Sequence, residues 1–164
     1  MPVRPSQLWK GLPLERRIAL ADAFWREEGD DAQMQQMEAI GVLARRLNFR
    51  VRSVQALPVD RRARHLAQMP DVSEAVATRA LISYHLAAQR PLMAAFLDAL
   101  GIAHENGVIN SEDAPKPDSA KLAAAVETVK KAFPADDVSL YLRTLEIIDG
   151  ETWGELHALL TPSV

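Results

Sequence analysis

The chain has 164 residues, no cysteine and a formal net charge of −3. That length suits one compact domain, or one domain with a modest helical appendage, burying about 70% of the surface its unfolded form would expose. The lack of cysteine excludes disulfide staples, thiolate zinc sites, iron–sulfur clusters and a cysteine nucleophile. The opening MPVRPSQLWKGLPLERR lacks the apolar centre of a secretory signal, and the longest apolar runs are too short to span a bilayer, so a soluble cytoplasmic protein with no membrane contact is expected.

Apolar residues recur at three- and four-residue spacing almost throughout, with few alternating β-branched runs, so the reading is all-α without a convincing strand. Pro13 opens PLERRIALADAFWREEG, Glu15 lies in the first turn where the helix dipole favours an acid, and Gly29 stops it. Asp30 or Asp31 then caps AQMQQMEAIGVLARRL, whose stripe of Met34, Met37, Ile40, Leu43, Ala44 and Leu47 marks a buried face ending near Asn48. A short helix from about Val51 to Leu57 follows. Pro58 stops it and opens PVDRRARHLAQM, which Pro70 closes. Ser73 begins SEAVATRALISYHLAAQ and Pro91 begins PLMAAFLDAL. The block from Val76 to Ile102 is the most apolar in the chain, and Leu81, Ile82, Leu86, Leu92, Phe96, Leu97 and Leu100 mark it as the centre of the core.

Gly101 fits a left-handed helix cap with Ile102 folded back on the last turn. HENGVI reads as a tight turn, because Asn106 and Gly107 tolerate positive φ. Residues 110–119, NSEDAPKPDS, form a polar connection with two prolines. They divide a larger N-terminal bundle from a helical hairpin made of AKLAAAVETVKKAF and, after Pro134, DDVSLYLRTLEIID, with TWGELHALL as a closing helix. The stripe of Leu140, Leu142, Leu145, Ile148 and Trp153 requires a partner surface, and the tryptophans Trp9, Trp25 and Trp153 keep helical apolar spacing, as core anchors do. One echo runs through the chain. LPLERR at Leu12 and LPVDRR at Leu57 lie 45 residues apart, a period seen in armadillo and HEAT solenoids, but a third copy near Ile102 is absent and proline followed by an acid is ordinary helix-start grammar.

Charge is uneven. Arg45 to Arg64 holds seven arginines and a single acid, Asp60, for +6, whereas residues 98–164 carry −7. The basic patch is therefore local, and suits either a local nucleic-acid footprint or an acidic partner. From Ile40 to about Val59 the segment resembles the helix-turn-helix class of DNA-binding motif. Ala44 stands at the small position of the first helix and Asn48 where glycine is usual, while Leu43, Leu47, Phe49, Val54 and Leu57 occupy packing positions. The resemblance implies that Arg50, Arg52 and Gln55 face base edges, and that Arg45, Arg46, Arg61, Arg62 and Arg64 neutralise phosphates. The alternatives need no nucleic acid: the arginines form an ordinary solvated face, complementing helix C-termini or pairing with acids elsewhere in the chain, or they meet an acidic protein.

Catalytic signatures are sparse. His65, His85, His104 and His157 have no histidine partner at metal-ligand spacing, and no glycine-rich phosphate loop, nucleophile elbow or dinucleotide fingerprint is present. His85, among apolar neighbours, reads as a buried, hydrogen-bonded core histidine. His104, with Glu105 and Asn106 in a turn, is the better polar-site candidate, although the turn chemistry alone accounts for it. Paired acids such as Asp136 and Asp137, or Asp30 and Asp31, fall at helix boundaries, where capping explains them.

The expectation is thus an all-α helical bundle or helical-pair array of about seven to eight helices. Residues 1–109 form the bundle, 110–119 the connection and 120–164 a smaller C-terminal helical hairpin packed on it. Its expected role is a non-catalytic protein-interaction module, with a protein partner or self-association as a homodimer favoured over nucleic acid, and with no cofactor or metal. A DNA-binding regulator using residues 40–59 is the alternative. An enzyme with a site assembled across helices near His104 is the second.

Overall fold

The computed structural model describes residues 3–109 and 116–160, and the fold is all-α. Among these residues eight helices have seven residues or more, as expected, while three single-turn helices and one small hairpin complete the secondary structure. They fall into two compact units, Arg4–Ala87 and the described residues from Ala88 onward.

The first unit holds α1 (Pro5–Gly11), α2 (Leu14–Arg26), α3 (Asp30–Leu47), α4 (Val51–Gln55), α5 (Val59–Ala67) and α6 (Glu74–Ala88). Pro13 and Pro58 take the N-cap positions of α2 and α5 with nearly identical backbone angles, φ −60° and −57°. Their rings fix φ, and each carbonyl accepts the first helical bond, from Arg17 and Arg62 respectively, at 3.0 Å. The sequence echo thus marks the starts of two helices, and these two make the most extensive helix pair in the unit. Both helices carry buried alanines, Ala21 and Ala23 on α2 and Ala63 and Ala67 on α5, alongside the buried Leu20, Phe24 and Leu66.

Trp9 anchors α1. Its ring is fully buried and its Nε1–H donates to the Met69 carbonyl at 2.8 Å, so the indole is desolvated without losing its polar partner. At the other end of the same helix the Ser6 hydroxyl and N–H both donate to the Glu74 carboxylate, tying α1 to the first turn of α6. Trp25 is also buried.

The expected buried stripe of α3 needs correction. Ala39, Ile40, Leu43 and Ala44 are buried, but Met34 and Met37 are 73% and 52% exposed. A polar residue holds the inward position nearby: Gln36 Nε2 donates to the carbonyls of Phe24 at 2.8 Å and Glu27 at 2.9 Å. Those carbonyls belong to the C-terminal end of α2, where intrahelical donors run out, and the half-buried Gln36 amide satisfies them. Met34 is then left on the outer line of α3 with Glu38 and Arg45.

The second unit holds α7 (Arg90–Leu100), β1 (His104–Glu105), β2 (Val108–Ile109), α8 (Ser119–Ala132), α9 (Ala135–Ile148), α10 (Gly150–Trp153) and α11 (Leu156–Leu160). Phe96 of α7 sits edge-on to Tyr141 of α9, ring centroids 5.8 Å apart, and is tilted against Trp153 at 5.9 Å. Burial holds the Tyr141 phenol well above its ordinary pKa. The expected stripe of α9 is only partly covered: Leu140 and Leu142 are buried, as is Trp153 of α10, whereas Ile148 is 52% exposed at the helix end. The apolar block expected at the core centre is shared, with Leu81 buried in the first unit and Leu92, Phe96 and Leu97 in the second. Of the polar connection at 110–119, residues 110–115 lie outside the described residues. Asp118 is the N-cap of α8, accepting from Lys121 N–H at 2.8 Å.

Gly101 closes α7 at φ 70°, and Ile102 N–H returns to the Leu97 carbonyl at 3.0 Å, which is the expected left-handed cap. Asn106 and Gly107, at φ 49° and 88°, form the two-residue turn of the β1–β2 hairpin, in which His104 pairs with Ile109. The two short strands were not anticipated, because two residues are too few to show alternation.

Two outcomes follow from these contacts. Gly107→Ala puts a methyl 2.8 Å from Met93 Cβ and 3.1 Å from the Arg90 carbonyl at a positive φ, and should lower unfolding free energy by about 2 kcal/mol in urea titration. The Ser6 bonds hold the Glu74 carboxyl below the usual carboxylate range, the side-chain bond contributing most. A depressed folded pKa gives stability that is present above the unfolded value near 4.3 and lost as pH falls through the folded one. Ser6→Ala should therefore flatten the acid limb of the urea midpoint below about pH 5, by a small amount because the carboxylate is open to solvent.

Candidate functional site

The arginine-rich stretch is built around one helix end. α3 stops at Asn48, which adopts φ 56°, ψ 41°. Phe49 N–H returns to the Ala44 carbonyl at 2.9 Å and Asn48 N–H to that of Arg45 at 3.4 Å, the paired bonds of a Schellman cap. Asparagine thus takes the left-handed position the sequence assigns it. Arg45 and Arg46 lie in the last turn of α3, where cations complement the exposed carbonyls. Arg50 is the N-cap residue of α4, its carbonyl accepting from Ser53 at 2.9 Å, and Arg52 lies in α4 itself. These four arginines are all exposed around a single α3–α4 corner.

The corner also departs from expectation. α4 has five residues, Val51–Gln55, instead of running to Leu57, because Pro58 forces Leu57 out of helical geometry and only Val54 is buried to anchor it. Such a helix is about 7.5 Å long. Phe49, assigned a packing position, is 47% exposed, since the cap that ties its N–H to α3 turns the ring outward; Val51 is 43% exposed beside it. Gln55 turns back onto α3, its Nε2 3.9 Å from Met37 Sδ.

On α5, Arg61 and Arg64 are exposed and Arg62 is not. The Arg62 guanidinium lies 5.0 Å from the centroid of the Trp25 ring, a cation–π contact, and desolvation there lowers its pKa from the ordinary guanidinium value. Arg62 therefore belongs to the α2–α5 packing. Its counterpart in the echo, Arg17, also reaches inward, with Nη1 3.5 Å from the Met69 carbonyl. Among the described residues none of Arg45, Arg46, Arg50, Arg52, Arg61 and Arg64 makes an ion pair, in contrast to Arg26 with Asp22 or Arg79 with Glu27. The reading in which these guanidiniums pair with acids of the same chain is not what holds them in place. Phe49 and Val51 are exposed between them, and helical register, which assigns Phe49 to packing, carries no signal for this.

His104 belongs to the second unit, on β1. Its Nδ1 accepts the Gly107 N–H at 3.0 Å, and its Nε2–H donates to Asp98 Oδ1 at 2.7 Å. Arg90 adds a bond to the Asn106 carbonyl at 3.0 Å. Both imidazole nitrogens are thus engaged in fixing the hairpin tip to α7. Glu105 is exposed on the neighbouring strand position. His85 is buried, with Nδ1–H donating to the Leu81 carbonyl at 2.7 Å. Among the described residues no group of three or more acids and histidines could hold a metal ion, and no helix is long and apolar enough to cross a membrane.

The two kinds of arginine should separate by stability. Arg62→Ala should cost about 1 kcal/mol through lost packing on Trp25, while Arg61→Ala and Arg64→Ala should stay within about 0.5 kcal/mol of the parent, as read from chemical-denaturation midpoints. No known family model matches the sequence, and no curated protein or solved structure matches it either, so the reading of this surface rests on its own chemistry.

Proposed function

We propose that this chain is a non-catalytic helical module that docks an acidic, partly apolar protein segment on the α3–α4 corner. The observation that carries the reading is the set of exposed arginines without an ion pair among the described residues, interleaved with the exposed side chains of Phe49 and Val51. A phosphate backbone rewards cations alone, whereas a protein interface is enriched in arginine and aromatic residues together. Arg45, Arg46, Arg50 and Arg52 form its charged part, Arg61 and Arg64 on α5 extend the basic character, and Arg62 is a packing residue. Self-association through the acidic residues beyond Asp98 is one form such docking takes.

The second reading, a DNA-binding regulator, is favoured by one observation, the left-handed Asn48 between α3 and α4. Against it stand the five-residue α4 and the engagement of Gln55 with Met37 of α3, which shorten the reach of a recognition helix into a groove.

Fluorescence anisotropy with a labelled amphipathic peptide bearing Glu and Asp beside Leu and Phe tests the proposal. Arg50→Glu with Arg52→Glu should weaken binding about tenfold or more, and Phe49→Ala about threefold, without change in the thermal midpoint. Labelled duplex DNA is the counter-measurement. Binding of duplex but not peptide, with a log–log salt slope near about −4, would replace the docking module with the regulator.

A further inference from the structure

A second surface feature lies between α3 and the α5–α6 connection and shares no residue with the arginine corner. The outer half of α3, the end of α5 and the connection to α6 enclose a partly open cleft of about 110 Å³. Its walls are apolar, formed by Ala39, Val42, Leu66, Met69, Val72 and Val76. Its lip carries two carboxylates from separate elements, Glu38 of α3 and Asp71 of the α5–α6 connection, with Ser73 beside them.

The size decides the occupant first. Small-molecule sites run from about 300 Å³ upward, and a cavity of about 150 Å³ takes a benzene. A space of 110 Å³ therefore takes a chain of about five heavy atoms. Polarity decides next. A greasy interior ending at negative charge suits an aliphatic stem with a cationic tip, the division that lysine presents. The lip chemistry is already in use: Lys10 Nζ stands 3.4 Å from Asp71 Oδ1. Glu38 accepts the Ser73 hydroxyl on Oε2, and its other oxygen has no hydrogen bond among the described residues. Two carboxylates on different elements address a compact ammonium from two sides, whereas a guanidinium needs a bidentate, coplanar partner and a wider slot.

The geometry points to a lysine-side-chain receptor: the cleft takes the butylammonium arm of a lysine on a partner polypeptide, with its four methylenes against Val42, Val72 and Val76 and its ammonium between Glu38 and Asp71. The opening admits one side chain while the donor backbone stays outside. Lys10 competes for Asp71 and so holds the affinity down.

The test is a methyl NMR titration of the full chain with Nα-acetyl-lysine N-methylamide, following the Val42, Val72, Val76 and Met69 methyl signals. Saturable shifts confined to these methyls are expected. The norleucine and arginine analogues should bind at least about threefold more weakly, as should Glu38→Gln with Asp71→Asn. Lys10→Ala should tighten binding about twofold by releasing Asp71. The substituted side chains are exposed, so unchanged Leu20 and Leu81 methyl shifts, from the core of the same unit, verify that the fold is intact. No saturable shift with the lysine analogue overturns the proposal, as does equal binding of the norleucine analogue. Free n-butylammonium binding about tenfold tighter than the lysine analogue would assign the cleft to a small amine and overturn the polypeptide source.

Discussion

The contact between α2 and α5 organises the first unit. It joins segments 45 residues apart in the chain, between helices that both bury alanines among larger leucine and phenylalanine neighbours. Everything between them, α3 and α4 with the turn at Asn48, is the excursion that this contact closes. The arginine corner sits on that excursion, so its place is set by alanines that no partner would touch. Arg62 shows the division most plainly, since its α5 neighbours at 61 and 64 face solvent while it lies over Trp25.

The second unit relies on shorter-range relations. α7 and α8 form its most extensive pair, and the hairpin at Asn106–Gly107 returns to α7 through His104, Asp98 and Arg90. A histidine in a loop with an acid at hydrogen-bond distance is the arrangement that suggests catalysis. Here both ring nitrogens serve the hairpin, Nδ1 toward the Gly107 N–H and Nε2 toward Asp98.

What was legible in the sequence was local chemistry. Pro13, Pro58 and Pro134 mark the starts of α2, α5 and α9, and Asn48, Gly101, Asn106 and Gly107 take the positive φ that their identities allow. Periodicity located the helices and most of the buried stripe. It failed where a polar side chain had a better claim to the interior than an apolar one, as with Gln36 against Met34 and Met37, since that claim comes from the carbonyl ends of another helix. It also failed at Phe49, where a cap bond overrides the packing register. The cleft was invisible for a different reason: Glu38 and Asp71 come from segments 33 residues apart, and no spacing rule relates them.

Because the α2–α5 seam closes the loop that carries the α3–α4 corner, the corner is thermodynamically peripheral. Its outward side chains can be exchanged at little expense to folding, while a bulkier residue in place of Ala21 or Ala63 would spread the whole excursion. The chemistry of that rim and the integrity of the scaffold are therefore under separate control in this chain, and drift at the rim can change its charge and polarity while the scaffold beneath it stays fixed.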